Sequence, residues 1–227
     1  MNQHFYINLK ERPEKNAYTI TELKKLGIKK PNRFEAIKHE IGLVGCVMSH
    51  IACLEKAKEL KWSYCIIFED DIKIESKNKL IEKFNKYINY DFDVLYLGCW
   101  NCSPPIPIEK YLSKVVKAWC THAMVVKCHY YDTLIDNYKT SLKYKLQYPN
   151  DNNYNIDEYL KILQHKDKWY CITPIHITQR DGWSDSFNCV RNLSDTIKVI
   201  PQSQQLSKYP GDPYLTGCLS PSNLLLI

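Results

Sequence analysis

The stretch Cys65-Ile66-Ile67-Phe68-Glu69-Asp70-Asp71-Ile72 limits what this chain can fold into more than any other. Four apolar residues run directly into three acids. A short run rich in Ile and Phe reads as a strand buried on both faces, as inside a parallel sheet. Burying three unpaired carboxylates behind it is prohibitive. Glu69, Asp70 and Asp71 must therefore emerge at the carboxyl edge of the sheet, where open α/β folds place ligands. Hard oxygen donors clustered there suit Mg²⁺ or Mn²⁺. An acidic turn that merely ends a strand is the plainer reading of the same residues.

The 227 residues, 44% of them hydrophobic, suit one sizeable globular domain. No apolar run approaches the roughly 20 residues that span a bilayer. Met1–Leu9 enters a strand-like run with neither a charged leader nor an apolar stretch, so no signal peptide is expected. The expectation is a cytoplasmic, reducing location in which the ten cysteines are free thiols. The net charge of +6, from 31 basic and 25 acidic residues, favours an anionic substrate such as a nucleotide. Lysines are spread along the chain rather than clustered, which argues against nucleic acid as a partner.

Taken in order, Phe5–Leu9 reads as a first strand. Pro13 opens a helix with Ala17, Ile20, Leu23 and Leu26 inward and Gly27 at its end. Arg12, in the turn between, could face a diphosphate or simply face solvent. Arg33–Ile37 is a second short strand. Gly45, Cys46, His50, Cys53, Ala57 and Leu60 trace one face of a helix, on which His50 reads first as a hydrogen-bonded core residue. Ser76 caps a helix carrying Leu80, Ile81, Phe84 and Ile88, and Asp93–Gly98 is the next buried strand. Cys99 and Cys102 form a lone C-x-x-C followed by prolines, which reads as incidental thiols. Val115–Val116 and Ala123–Val126 are expected to pair as strands, with a helix over His129–Tyr138. Asp157 and Glu158 sit in the first turn of a helix, where they either complement its dipole or supply a general base. Trp169–Ile177, broken at Pro174, delivers His176 and then a polar loop, Thr178–Ser186. Beyond Asn192, Tyr209–Pro213 reads as a turn cluster and Leu224–Ile227 as a short docked tail.

Several of these segments together resemble the family 25 glycosyltransferases, which include lipopolysaccharide sugar transferases and procollagen galactosyltransferases. The residues that carry the resemblance are Phe5–Lys10, Arg33–Ala36, Gly45-Cys46-Val47-Met48-Ser49-His50, Phe68–Asp71, Asp93–Gly98, Ile156–Leu160, His176–Thr178 and Ser184-Asp185. The Gly-Cys-x-x-Ser-His element followed by Glu-Asp-Asp is the specific pair. The resemblance implies a single-domain α/β, GT-A-like fold with a mixed, mainly parallel central sheet flanked by helices. It divides the chain into a nucleotide-binding part, about 1–100, an acceptor part, about 101–190, and a C-terminal extension, 191–227, packed on the domain. It implies a UDP-sugar donor, Mn²⁺ or Mg²⁺, a glycan or protein hydroxyl as acceptor, and inversion at the anomeric carbon, with galactose or glucose as the sugar. By position, Asp71 matches the metal-binding end of the acidic motif, and Asp70 a residue near ribose or metal. Glu69 matches a supporting residue, Asn8 and Leu9 the strand edge near the base, His176 a late metal ligand, and Asp157 the base or acceptor anchor. Two positions depart from the family pattern. Glu11 stands where an Arg is frequent, which puts the phosphate role of Arg12 in question, and the Thr121–Met124 stretch lacks the usual glycine-tyrosine character. The alternatives are a non-catalytic nucleotide-sugar or glycan-binding module and a metal-dependent phosphohydrolase, and an oligomer is compatible with all three.

Overall fold

The computed structural model describes residues 1–192. The expected C-terminal extension from 193 onward, with its turn cluster and apolar tail, lies outside the described residues.

Both faces of the Cys65–Phe68 run are buried, and the fold is built around it. Strand β3 (Tyr64–Glu69) sits in an eight-stranded sheet with β1 (His4–Asn8), β2 (Arg33–Glu35), β5 (Val94–Asn101), β6 (Ile106–Glu109), β7 (Leu112–Lys114), β8 (Ala118–Lys127) and β9 (Trp169–Ile172), in the order β2-β1-β3-β8-β5-β9-β7-β6. The pairs β1–β2, β1–β3 and β5–β9 are parallel, and β8 runs antiparallel between β3 and β5. The central strands thus share one direction apart from β8, which is the mixed sheet expected above.

Alternation along the strands sorts the core into two layers. Phe5, Ile7, Cys65 and Ile67 face one cluster, with Val47, Cys53 and Leu54 of helix α2 (Gly42–Glu59) and Leu134 and Tyr138 of α4 (Tyr131–Gln147). Tyr6, Ile66 and Phe68 face the other, with Leu23 of α1 (Pro13–Lys25) and Leu80 and Phe84 of α3 (Lys77–Tyr87). Each fully buried Ile, Leu or Phe contributes about 1.5–3 kcal/mol relative to exposure. Helix cover on both faces explains why β3 reads as a continuous apolar run. The described cysteines are all free thiols.

Two expectations are corrected. Val115–Val116 does not pair with Ala123–Val126; β8 is one ten-residue strand, and β7 pairs with β6 and β9 instead. The polar run Thr178–Ser186 is not all loop. Strand β10 (Ile177–Gln179) pairs antiparallel with β4 (Ile72–Ile74), and β11 (Gly182–Ser184) forms a hairpin with β12 (Cys189–Arg191). Three-residue strands carry too little periodicity to stand out in a polar sequence.

No helix among the described residues is long and apolar enough to cross a membrane.

Candidate active site

Because β1 and β3 are parallel, Asn8–Leu9 and Glu69–Asp71 come out at the same sheet edge. There they line a cleft of about 500 Å³ together with residues of α2, β5, β8 and the Asn152–Glu158 segment. Helix α1 holds the acidic turn in place. Thr19 donates to the Asp70 carbonyl at 2.8 Å, and Glu22 accepts from the Ile74 amide at 2.9 Å.

Asn8 links the strand edge to the acids. Arg33 donates to its Oδ1 at 3.1 Å, which leaves Nδ2 to donate to Asp70 Oδ2 at 2.8 Å and to the Arg12 carbonyl at 3.1 Å. Lys15, one turn into α1, places Nζ 3.6 Å from Asp70 Oδ1 and 2.8 Å from Asp185 Oδ2. Burial alone would lower its pKa, but Asp70 and Asp185 more than offset that and hold the ammonium charged. Arg12 binds Asp185 at 2.5 Å and does not line the cleft itself. Its side chain braces the loop that follows β11.

Asp71 is the most strained charge here. Gln179 donates to Oδ2 at 3.0 Å, while Oδ1 is buried with no hydrogen-bond partner. Burial, with Glu69 and Asp70 adding like charge, pushes its pKa up to about 8. Asp70 is raised too, by burial first, with Lys15 and Asn8 opposing. Adjacent carboxylates driven up in this way, one with an orphaned oxygen, form a pair that a divalent cation would stabilise. Their all-oxygen donor set fits Mn²⁺ or Mg²⁺. Glu69 goes the other way. Burial would raise it, but hydrogen bonds from His50 (3.3 Å) and Thr121 (2.6 Å) hold it below its ordinary value.

His176 does not join this group. Gln179 faces Asp71, so strand alternation turns Thr178 and His176 to the opposite side. Thr178 donates to Glu75 at 3.1 Å, and His176 Nε2 lies 2.8 Å from Lys83 Nζ on α3. Burial and the Lys83 charge lower the imidazole pKa to about 4. The sequence-based assignment of His176 as a metal ligand is therefore corrected: that nitrogen is engaged by an ammonium.

Asp157 lies in the first turn of α5 (Ile156–Tyr159) and lines the same cleft. Burial, then the neighbouring Glu158, raises its pKa. Its contact with the Cys120 amide is long, at 3.5 Å. Glu158 is instead held by Trp119 Nε1 and by Lys161 at 2.5 Å. A bulge positions this wall of the cleft: β5 and β8 slip register between Gly98 and Trp100, and Cys120 adopts φ +72°. The slip carries Thr121 to Glu69. Gly98 is required opposite it, because a Cβ there would lie 2.4 Å from His122 Nε2 and from the Ile177 carbonyl.

Sequence reasoning missed Lys15, His50, Thr121, Gln179 and Asp185 as members of the site. Lys15 stands three residues after Arg12, and Gln179 three after His176. His50 and Asp185 stood in the Gly45–His50 and Ser184-Asp185 motifs, which marked them without giving them a role.

Residues 41–148, just under half of the chain, match the family described as Glycosyltransferase family 25 (LPS biosynthesis protein). The family resemblance read from the motifs is shown for this segment, which runs from α2 to just past α4, and it supports glycosyl transfer in general. No curated protein matches the chain. Solved structures give loose likenesses. A glycosyltransferase involved in glycosylation of the major capsid of PBCV-1 is 12% identical with a TM-score of 0.47, covering 74% of this chain and 80% of that one. A197 from STIV is 13% identical with a TM-score of 0.44, covering 88% and 98%. A Drosophila beta-1,4-galactosyltransferase 7 complex with manganese, UDP-Gal and xylobiose is 8% identical with a TM-score of 0.40, covering 89% and 78%.

Proposed function

We propose that the protein is an inverting glycosyltransferase that moves a sugar, galactose or glucose, from a UDP-sugar to a hydroxyl of a glycan or protein acceptor of lipopolysaccharide or collagen-like type. The observation that carries this reading is the pairing in one cleft of two adjacent carboxylates raised by burial, Asp70 and Asp71, with a separate carboxylate of raised pKa, Asp157. The nucleotide part is assigned to about residues 1–100 and the acceptor part to about 101–190.

Asp71 and Asp70 are the residues that would hold Mn²⁺ or Mg²⁺. Such an ion supplies Lewis-acid stabilisation of the charge developing on the departing diphosphate. The chain's own residues do the rest. Asn8 fixes the Asp70 rotamer, and Leu9 borders the place assigned to the base. Lys15 supplies fixed positive charge beside the acids, the kind of preorganised counter-charge that favours charge development on a leaving group. Arg12 keeps Asp185 and its loop against α1. Asp157 accepts the proton of the acceptor hydroxyl as that oxygen attacks the anomeric carbon from the face opposite the nucleotide. Burial that lifts its pKa makes it a stronger base, and general-base help of this kind is worth about 10²–10⁴-fold.

The test is a panel of UDP-sugars with Mn²⁺, Mg²⁺ or chelator, read by mass detection of hydrolysed or transferred sugar. Cation-dependent turnover of one donor is expected. UDP-sugar binding without any turnover would favour the non-catalytic module, and cleavage of simple phosphate esters would favour a phosphohydrolase.

A further inference from the structure

A second set of donors, of different chemistry, faces the same cleft. Cys46 and His50 are one turn apart on α2 and project from one face of it. Glu69 meets them from the end of β3. The Cys46 sulfur, one imidazole nitrogen of His50 and one Glu69 oxygen all lie within 4.8 Å of one another. His50 is fully buried; its Nε2 lies 3.3 Å from Glu69 Oε1, and its Nδ1 has no hydrogen-bond partner. Thr121 donates to Glu69 at 2.6 Å and orients the carboxylate in advance, as an outer-shell partner does in metal sites.

A thiolate, an imidazole and a carboxylate are the donor types of zinc centres that keep one position open. The all-oxygen Asp70–Asp71 turn suits harder cations. We propose that Cys46, His50 and Glu69 form a binding site for a thiophilic divalent cation, Zn²⁺ by donor chemistry, distinct from the Asp70–Asp71 turn and opening on the cleft. Binding sends the Cys46 thiol proton to solvent and leaves the sulfur as a thiolate ligand. The site does not depend on the transfer reaction proposed above, so its test needs no activity.

Co²⁺ is the probe, because a cobalt–thiolate charge-transfer band and intense visible d–d bands report sulfur ligation and tetrahedral geometry. The metal-free full chain titrated with one equivalent of Co²⁺ is expected to show both, and Zn²⁺ to abolish both by displacement. Cys46→Ser should lose the thiolate band. Glu69→Gln should weaken Zn²⁺ binding by at least about 10–100-fold, the loss already typical of an outer-shell partner. Asp71→Asn should leave both bands in place. Far-UV circular dichroism checks that each variant folds, and His50→Gln serves as the second ligand deletion where Cys46→Ser does not. Absence of the thiolate band in the wild type overturns the proposal. So does its survival in folded Cys46→Ser, which would place the ion on another cysteine. Its loss in Asp71→Asn overturns the separation of the two sites.

Discussion

Replacing Asp71 by Asn tests the central electrostatic argument without any need for a substrate. Burial, with the like charges of Glu69 and Asp70, pushes the Asp71 carboxyl up to about 8 from an ordinary 3.8. Across that window the folded chain keeps a proton that the unfolded chain has lost. This raised-pKa contribution is fully present below pH 3.8 and is lost as pH rises toward 8. One proton of difference corresponds to about 1.4 kcal/mol per pH unit. For a domain of this size, that is about 3–6 °C in Tm per unit. Asn mimics the protonated carboxyl and can still accept from Gln179, so the variant should match or exceed the wild type in stability at pH 8 in chelator. Its stability should also fall less steeply between pH 5 and 8. Mn²⁺ should then stabilise the wild type, by about 2.7 kcal/mol at a hundred times its dissociation constant, and leave the variant unmoved. Urea melts at pH 5, 6, 7 and 8, with chelator and with Mn²⁺, read both effects. Equal pH slopes in the two proteins, or an equal response to Mn²⁺, would refute the reasoning.

Asp157→Asn should cut turnover by about 10²–10⁴-fold while UDP binding, measured by calorimetry, stays within a few-fold; collapse of nucleotide affinity would move Asp157 to the donor side. His176→Gln should leave Mn²⁺ affinity unchanged and lower Tm, because it disturbs the contact with Lys83; a tenfold loss of Mn²⁺ affinity would restore His176 as a ligand. Gly45→Ala should cost about 1–3 kcal/mol in a melt, because its Cβ would stand 2.5 Å from the Ile37 carbonyl; an unchanged Tm would show that the loop yields.

The interior strands and the acidic turn were legible because burial leaves a one-dimensional mark. A strand covered on both faces must be apolar throughout, and three charges at its end must leave the core. The Gly45–His50 element was legible as a helix face, though its reasons were not. Gly45 is demanded by the backbone of Ile37, twelve residues before Ser49, whose hydroxyl accepts from that same Ile37 amide at 2.8 Å.

Pairing across the chain decided the rest. Whether His176 or Gln179 faces Asp71 depends on the β4–β10 register, and a strand of three residues shifted by one reverses the answer. Asp185 reaches Arg12 and Lys15 from more than 160 residues away in sequence. The bulge that delivers Thr121 to Glu69 exists only as a mismatch between two strands. The sequence by itself determined that carboxylates would stand at the carboxyl edge of a buried sheet, because the cost of burying charge is local. Only the tertiary structure decided which cations, amides and rings surround them, because those partners come from distant segments through register and alternation.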